Sequence, residues 1–277
     1  MLLPRINHYI HEHSVIPDHQ FGFRSNHSTI HQLHRVTDII SSNFEKRKYT
    51  SGVFLDVCSV FDKVRHEGLL FKLKAVLPDS YYLILQSFLQ DRFFYVAQGF
   101  EISDIKPITA GVPQGAILSP LLYSIYTADL PMTDSTTVAT YADDTILLTS
   151  TYNLLDASKN LQHHLNIMTD WLEKWRILIN ATKSVHVTFT LRKGNCPNVY
   201  LNNEQIPQKT EVRYLGLTLD RRLTWKPHII NKRNQLNMRL RQLYRLVGPK
   251  SPLTLNSKLT LYKTLLKPIW TYGLQIF

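Results

Sequence analysis

A chain of 277 residues with 44% apolar composition can bury a sizeable core as one large domain or two smaller ones, which excludes a disordered polypeptide. It has no apolar run of membrane-spanning length, its N-terminal MLLPRINHYIHEH lacks the apolar stretch of a secretory signal, and its two cysteines, Cys58 and Cys196, lack zinc-site spacing. A soluble, intracellular chain with free thiols is therefore expected. The net charge of +11 is concentrated: residues 221–277 carry twelve Lys or Arg and no Asp or Glu, while the remainder is close to neutral. Such a segment repels itself unless a polyanion lies against it, so nucleic acid is the expected partner and a membrane is not.

In chain order, Ile30, Leu33, Val36, Ile39 and Ile40 recur at helical spacing and predict a helix from His27 to about Phe44, with Ser28 or Thr29 as its cap. Residues 51–57 read as a strand and 67–76 as a short helix. Pro78-Asp79 opens a helix to about Gln90, and 93–96 reads as another strand. Ser119-Pro120 predicts an N-cap followed by proline at the first helical position, with Leu130-Pro131 closing that helix. Residues 138–148 form a hairpin pattern, and Leu154 to Trp175 is the clearest amphipathic helix. After residue 220 two helices are expected, the first stopped by Gly248-Pro249, each with an apolar face for packing and an opposite basic face. The order of helical and strand periods predicts mixed α and β architecture.

The hairpin VATYADDTILL places Asp143 and Asp144 at its turn, and the stretch GVFLD ends on a third acid, Asp56. Carboxylates at adjacent strand ends suit a hard divalent cation, which takes oxygen ligands and completes its shell with water and phosphates. Two such ions can activate an attacking oxygen and stabilise a leaving one, as in polymerases and nucleases. Taken alone, the Asp pair is equally compatible with a solvated turn. The histidines His8, His11 and His13, and His27, His31 and His34, have no Cys or acidic partners to complete a metal set and read as surface and capping residues.

Six blocks carry a wider resemblance: HQFGFRSNHST at 19–29, FLDVCSVFDKVRHEGLL at 54–70, GVPQGAILSPLLYSIYTADL at 111–130, YADDT at 141–145, LINATKS at 178–184 and YLGLTLDRRLTWKPHI at 214–229. In that order they resemble the reverse transcriptase of non-LTR retrotransposons, most like the jockey type. The resemblance implies an α+β, right-hand polymerase fold: partial fingers over 1–50, a palm with antiparallel sheet over 51–220 with a fingers insertion at about 66–108, and a partial basic thumb over 221–277. It implies an RNA-directed DNA polymerase working on an RNA template, a DNA primer, their hybrid and dNTPs, located in the nucleus at the site of integration.

The same resemblance implies residue roles. Asp56 and Asp143 would ligate two Mg2+ ions, or Mn2+ in their place, with Asp144 assisting and the Val57 carbonyl completing a shell. Phe61 would lie beneath the nucleotide sugar and exclude a 2′-hydroxyl. Gln114 and Arg24 would reach nucleotide or template, and Lys183 would protonate departing pyrophosphate. Tyr214, Leu215 and Gly216 resemble a primer grip, with Arg221, Arg222, Lys226, Lys232 and Arg233 along the hybrid backbone. For Phe61 a core role, and for Arg24 and Lys183 a solvated one, are the simpler readings of the residue alone.

Val60 and Arg65 depart from the family, which usually has alanine and an aromatic at these places. The match begins after the first fingers block and stops at TYGLQIF inside the thumb, so a chain shortened at both ends is expected. A folded remnant that binds nucleic acid without catalysis is the alternative. An RNA-dependent RNA polymerase is disfavoured, since those enzymes usually carry GDD and lack the aromatic gate.

Overall fold

The computed structural model describes residues 2–57 and 61–277; Cys58 and Val60, noted above, lie outside them. The first helix, α1 (Leu2–Glu12), turns Ile6 and Ile10 into the core, four residues apart on one face. It was not foreseen, because its histidines and Pro4 mask that spacing. Helix α2 (Thr29–Glu45) starts where expected: the Ser28 hydroxyl accepts from the His31 amide at 3.2 Å, and the Ser28 amide donates back to the His31 ring at 3.4 Å. His31 is thus a capping residue.

Strand β1 (Tyr49–Leu55) leads into α3 (His66–Val76) and α4 (Asp79–Leu89). The strand predicted at 93–96 is instead two nested ribbons: β2 (Phe93–Phe94) pairs with β5 (Lys106–Pro107), and β3 (Ala97–Gln98) with β4 (Glu101–Ile102). Gly99, with φ of +63°, begins the two-residue turn at the tip, and the ladder breaks at 95–96, opposite 103–105. Helix α5 (Ser119–Tyr126) corrects a second expectation. Its N-cap is Leu118, and Ser119 is already helical, its hydroxyl donating to the Pro113 carbonyl at 2.6 Å. The helix also ends at Tyr126, before Leu130.

The central sheet comprises β6 (Thr137–Tyr141), β7 (Asp144–Thr151), β1 and β8 (Val185–Phe189) in the order β6-β7-β1-β8, every pairing antiparallel. Helix α6 (Leu154–Trp175) follows β7 with the predicted boundaries. On one face Val53, Leu55, Val138 and Leu147 pack with Leu161, Leu165 and Met168 of α6 and with α3 to α5. On the other, Phe54, Ile146 and Leu148 pack with Leu33, Val36 and Ile40 of α2. That second layer is completed by the hairpin of β11 (Glu211–Tyr214) and β12 (Leu217–Asp220), which follows the small ribbon of β9 (Tyr200–Leu201) and β10 (Glu204–Gln205). With both faces covered, β1 and β8 are buried along nearly their whole length.

Double coverage also buries polar groups. His186 in β8 is fully buried with its Nε2 at 2.7 Å from the Ser51 hydroxyl, and burial pushes its pKa down to about 4. His19 falls to about 4 through burial, then the nearby charge of Arg35. Because the unfolded chain takes up these protons from about pH 6.5 downward and the folded chain only near pH 4, their contribution to stability is complete above 6.5 and lost as pH falls toward 4. The expected cost is about 2 kcal/mol or more over that window, read as a falling urea midpoint between pH 7 and pH 4.5. His186→Gln should show a shallower slope, and equal slopes would contradict this account.

Lys72 of α3 ties that helix to α5 and α6: its ammonium bonds Asp129 at 2.5 Å and the Tyr126 carbonyl, 3.5 Å from the centre of the Trp175 ring. Burial lowers its pKa to about 8. At the C-terminal end, α7 (Lys226–Val247) stops at Gly248 as expected. The second predicted helix is interrupted: α8 (Leu255–Leu261) passes through a π-helical turn at Tyr262–Leu266 into α9 (Lys267–Thr271). Pro268 has no N–H to give the preceding turn, which disfavours a regular ladder there. The apolar faces expected to pack stay largely open; in α7 only His228 is buried, while Ile229, Met238, Leu240 and Tyr244 are exposed. Among the described residues no helix is long and apolar enough to cross a membrane.

Candidate active site

Tyr141 pairs with Asp144, so Ala142 and Asp143 are the two residues of the β6–β7 turn. Strand β1 runs antiparallel to β7 as far as Leu55 opposite Thr145, and the next step of that register takes Asp56 toward Asp144. One end of the sheet thus gathers the two acids of the hairpin and the one that ends β1, all open to solvent. A loop after α6 holds Asp56 from behind. The Asp56 amide donates to the Ser184 hydroxyl at 3.1 Å, Ser184 donates to the Asn180 carbonyl at 2.8 Å, and the Asn180 amide donates to the Asp56 carbonyl at 2.9 Å. The Asn180 side chain accepts from the Lys183 amide at 3.0 Å, folding the turn that carries Lys183. Asn180 and Ser184 were visible only as parts of the LINATKS block, where nothing marked them as supports.

Asp144 keeps contact with solvent, yet desolvation of its carboxyl pushes its pKa up to about 6, with the charges of Asp143 and Asp56 adding to the rise. Three carboxylates that repel one another, with hard oxygen donors, fit a divalent cation, which would relieve that repulsion. Among the described residues no group of three His, Cys, Asp or Glu side chains is arranged to hold an ion by itself. A site of one or two carboxylates plus substrate phosphates needs no such cage. Asp56, Asp144 and Lys183 share a cleft of about 270 Å³ with Lys209, Glu211 and Arg213. Asp143 acts on the other side, where burial, and then its charge, raise the Tyr123 pKa.

Phe61 lies half-buried beside that tyrosine, ring centres 5.5 Å apart, with Phe23 at 6.0 Å. Gln114 is exposed and donates to Asp62 at 3.0 Å, while Gly111, at φ of +93°, lets its loop approach the Asp62 backbone, where a Cβ would come within 3.1 Å. Val57 bridges to Ile179. Arg24 donates to the carbonyls of Pro17 at 3.1 Å and Gln20 at 3.3 Å and pairs with Asp18 at 3.6 Å, so it braces its own loop. Arg65 pairs with Glu67 at 2.9 Å.

Two residues of the expected nucleic-acid face make contacts within the chain. Tyr214 is 3% exposed and packs on Phe54 at 5.6 Å between ring centres, so its ring belongs to the core beneath the hairpin. The alternation of β11 that buries Val212 turns Tyr214 inward as well. Arg221 donates to Asn195 at 2.7 Å and to the carbonyls of Arg192 and Gly194, which commits its guanidinium to that loop. Leu215 and Gly216 form the hairpin turn, and Tyr272 covers it, its hydroxyl donating to the Leu215 carbonyl at 2.7 Å. Arg222, Lys226 and Arg233 are exposed; Lys232 is half-buried, and its pKa is lowered by desolvation and then by Arg213.

An antiparallel sheet with acids at a hairpin turn and at the neighbouring strand end, backed by helices, is the architecture of a polymerase fold. Residues 1–219 match the family model of reverse transcriptase (RNA-dependent DNA polymerase), and the chain belongs to that family. The RNA-directed DNA polymerase from mobile element jockey of Drosophila melanogaster is 42% identical over 271 residues, covering 95% of this chain and 30% of that relative. The probable RNA-directed DNA polymerases from transposon BS and transposon X-element of the same species are each 38% identical across all of this chain, covering 32% and 31% of those relatives. This chain therefore spans about a third of the length of these curated relatives. Among solved structures, apo telomerase from Candida tropicalis truncated from its C-terminal domain shares the fold at a TM-score of 0.56 and 16% identity, over 81% of this chain and 43% of that one. The α+β polymerase fold expected from the sequence is borne out.

Proposed function

We propose that this chain is the polymerase core of a non-LTR retrotransposon reverse transcriptase, adding dNTPs to a DNA primer on an RNA template. The observation that carries this reading is the register of β1 against β7, which runs Asp56 toward Asp144 while the same hairpin turn carries Asp143. In this reading residues 1–50 serve as fingers, 51–220 as palm with the insertion at about 66–108, and 221–277 as thumb. The RNA, primer and dNTP partners are proposed from the family and from the basic C-terminal segment.

Asp56 and Asp143, with Asp144 and the Val57 carbonyl, would hold two Mg2+ ions, or Mn2+. When bound, such ions activate an attacking hydroxyl and stabilise the leaving oxygen. The chain's own residues orient and screen. Ser184 and Asn180 fix the backbone of Asp56, so its carboxylate needs little rearrangement. Lys183, exposed on the same cleft, offers a proton to departing pyrophosphate, a contribution of about 10² to 10⁴-fold for a positioned general acid. Arg222, Lys226 and Arg233 lie free to meet phosphates.

Primer extension on an RNA template with dNTPs and Mg2+ tests the reading. Extension that stops when EDTA is added is expected, and a chain that binds hybrid without extending it would favour the non-catalytic alternative.

Phe61 would set sugar selectivity. Phe61→Ala is expected to lower the ratio of dNTP to rNTP incorporation by about 10 to 200-fold, the range that a change of pocket volume supplies. The ratio is measured in one lane-matched extension assay, so a general loss of activity cancels. An unchanged ratio would leave Phe61 as a packing residue.

A further inference from the structure

Ala142 occupies the first central position of the acid-bearing turn with φ of +58°. A left-handed conformation at such a position ordinarily calls for Gly, Asn or Asp; alanine has neither glycine's freedom nor a side chain that bonds its own backbone. Something outside the turn must hold it. That support comes from a strap about 120 residues earlier in the chain. The Gln20 side chain is buried, at 4% exposure, and its Oε1 accepts from the Ala142 amide at 3.1 Å and from the Gly22 amide at 2.9 Å. Its Nε2 faces the Ala142 carbonyl at 3.5 Å.

The strap is itself anchored along β6, the outer strand of the sheet. Gln20 bridges to Thr140 in parallel, the Phe21 amide donates to the Thr140 carbonyl at 2.9 Å, and the Thr140 amide donates to the His19 carbonyl at 3.0 Å. Gly22 permits the approach: a Cβ there would sit 2.1 Å from the Ala142 nitrogen. Arg24 closes the bend from behind through the carbonyls of Pro17 and Gln20. The space under the turn, lined by Gln20, Ala142, Val57 and Tyr123, is only about 20 Å³, room for about one water.

We propose that Gln20 is a positioning residue for the metal-binding turn: its carboxamide fixes the Ala142 peptide and so sets where the adjoining Asp143 carboxylate stands at the acid-bearing end of the sheet. This rests on the reading above, that these acids hold the divalent ions. Gln20 touches neither metal nor substrate, and acts through the peptide next to Asp143. It also couples the fingers block to the palm, so that displacement of the strap would disturb the acids.

Two variants of the 277-residue chain test this. Gln20→Met keeps the side-chain length without its polar atoms; Gln20→Glu keeps the accepting oxygen. Amide hydrogen exchange at Ala142, Mn2+ affinity by electron paramagnetic resonance, and steady-state extension are compared with thermal melting. In Gln20→Met the Ala142 amide is expected to lose protection, Mn2+ affinity to fall about 10-fold, as for other residues that orient a metal ligand, and kcat to fall at least as much with KM for dNTP nearly unchanged. Gln20→Glu should restore Ala142 protection and most of the affinity. Parental protection and affinity in Gln20→Met would overturn the proposal, as would losses in both variants that merely follow their melting temperatures. If the parent itself binds no Mn2+, the metal reading fails, and Ala142 protection alone decides whether Gln20 holds the turn.

Discussion

Asp143→Asn is expected to reduce primer extension by about 10³-fold or more, because it removes a full charge where two cations and a developing oxyanion must be balanced. Asparagine has the same size and tolerates turns as well as aspartate, and position 143 is open to solvent, so stability should stay within about 0.5 kcal/mol of the parent. Hybrid binding is expected to depend on the basic residues beyond position 220 and should change by less than about twofold in Kd. Asp144→Asn should cost less. Its carboxyl is already raised to about 6 by desolvation and by its two acidic neighbours, so neutralising it removes part of their repulsion along with a possible ligand. Polymerisation retained in Asp143→Asn, measured by single-nucleotide incorporation, would refute the metal assignment.

The second large effect is that of salt. Arg222, Lys226 and Arg233 are exposed near the start of α7, and Arg239, Arg241 and Arg245 continue along it with no acid anywhere beyond position 220. If about six of these cations meet phosphates, the affinity for an RNA-DNA hybrid falls by about 10³-fold between 50 and 200 mM salt, since log K changes with a slope of about 0.9 per neutralised phosphate. Removing Arg222, Lys226 and Arg233 together should lower that slope by about 3. Arg221→Ala is the informative control. Its guanidinium is spent on the 192–195 loop, so its loss should lower stability and leave the slope nearly unchanged. Sequence preference should be weak throughout, as an A-form duplex is read by shape and backbone. Fluorescence anisotropy across a salt series measures both quantities, and a flat profile would contradict a phosphate groove along this segment.

The elements that the sequence made legible are those whose periodicity serves a single packing surface. Helix α6 buries Leu161, Leu165, Met168 and Leu172 along one face, and its boundaries were read correctly. Strand β8 was missed. It is covered on both sides, so His186 and Thr188 are buried between Val185, Val187 and Phe189, and the alternation that marks a half-exposed strand is absent. Helix α5 was misplaced by one cap residue because the Ser119 hydroxyl serves the Pro113 loop.

The candidate site shows the same division. Its acids stood out because three of them fall at strand ends within blocks that resemble one family, whereas their supports, Gln20, Asn180 and Ser184, are ordinary polar residues that acquire a role only through contacts distant in sequence. The burial of Tyr214 was illegible for a related reason: a tyrosine beside a glycine turn can face a ligand or the core, and only the covering of that hairpin by the second layer decides its ring's place. For residues 221–277, composition revealed the charge but could not show that the apolar faces of α7 would remain uncovered.

The central claim is that the carboxylates of Asp56 and Asp143 share a pair of divalent ions. Its most direct test is the anomalous difference map of crystals grown with Mn2+, a dideoxy-terminated primer on RNA template, and the incoming dNTP. Two peaks roughly 3.5 to 4 Å apart, each within bonding distance of both carboxylates, are the expected result. Mn2+ peaks elsewhere on the chain, with none between these two residues, would contradict it.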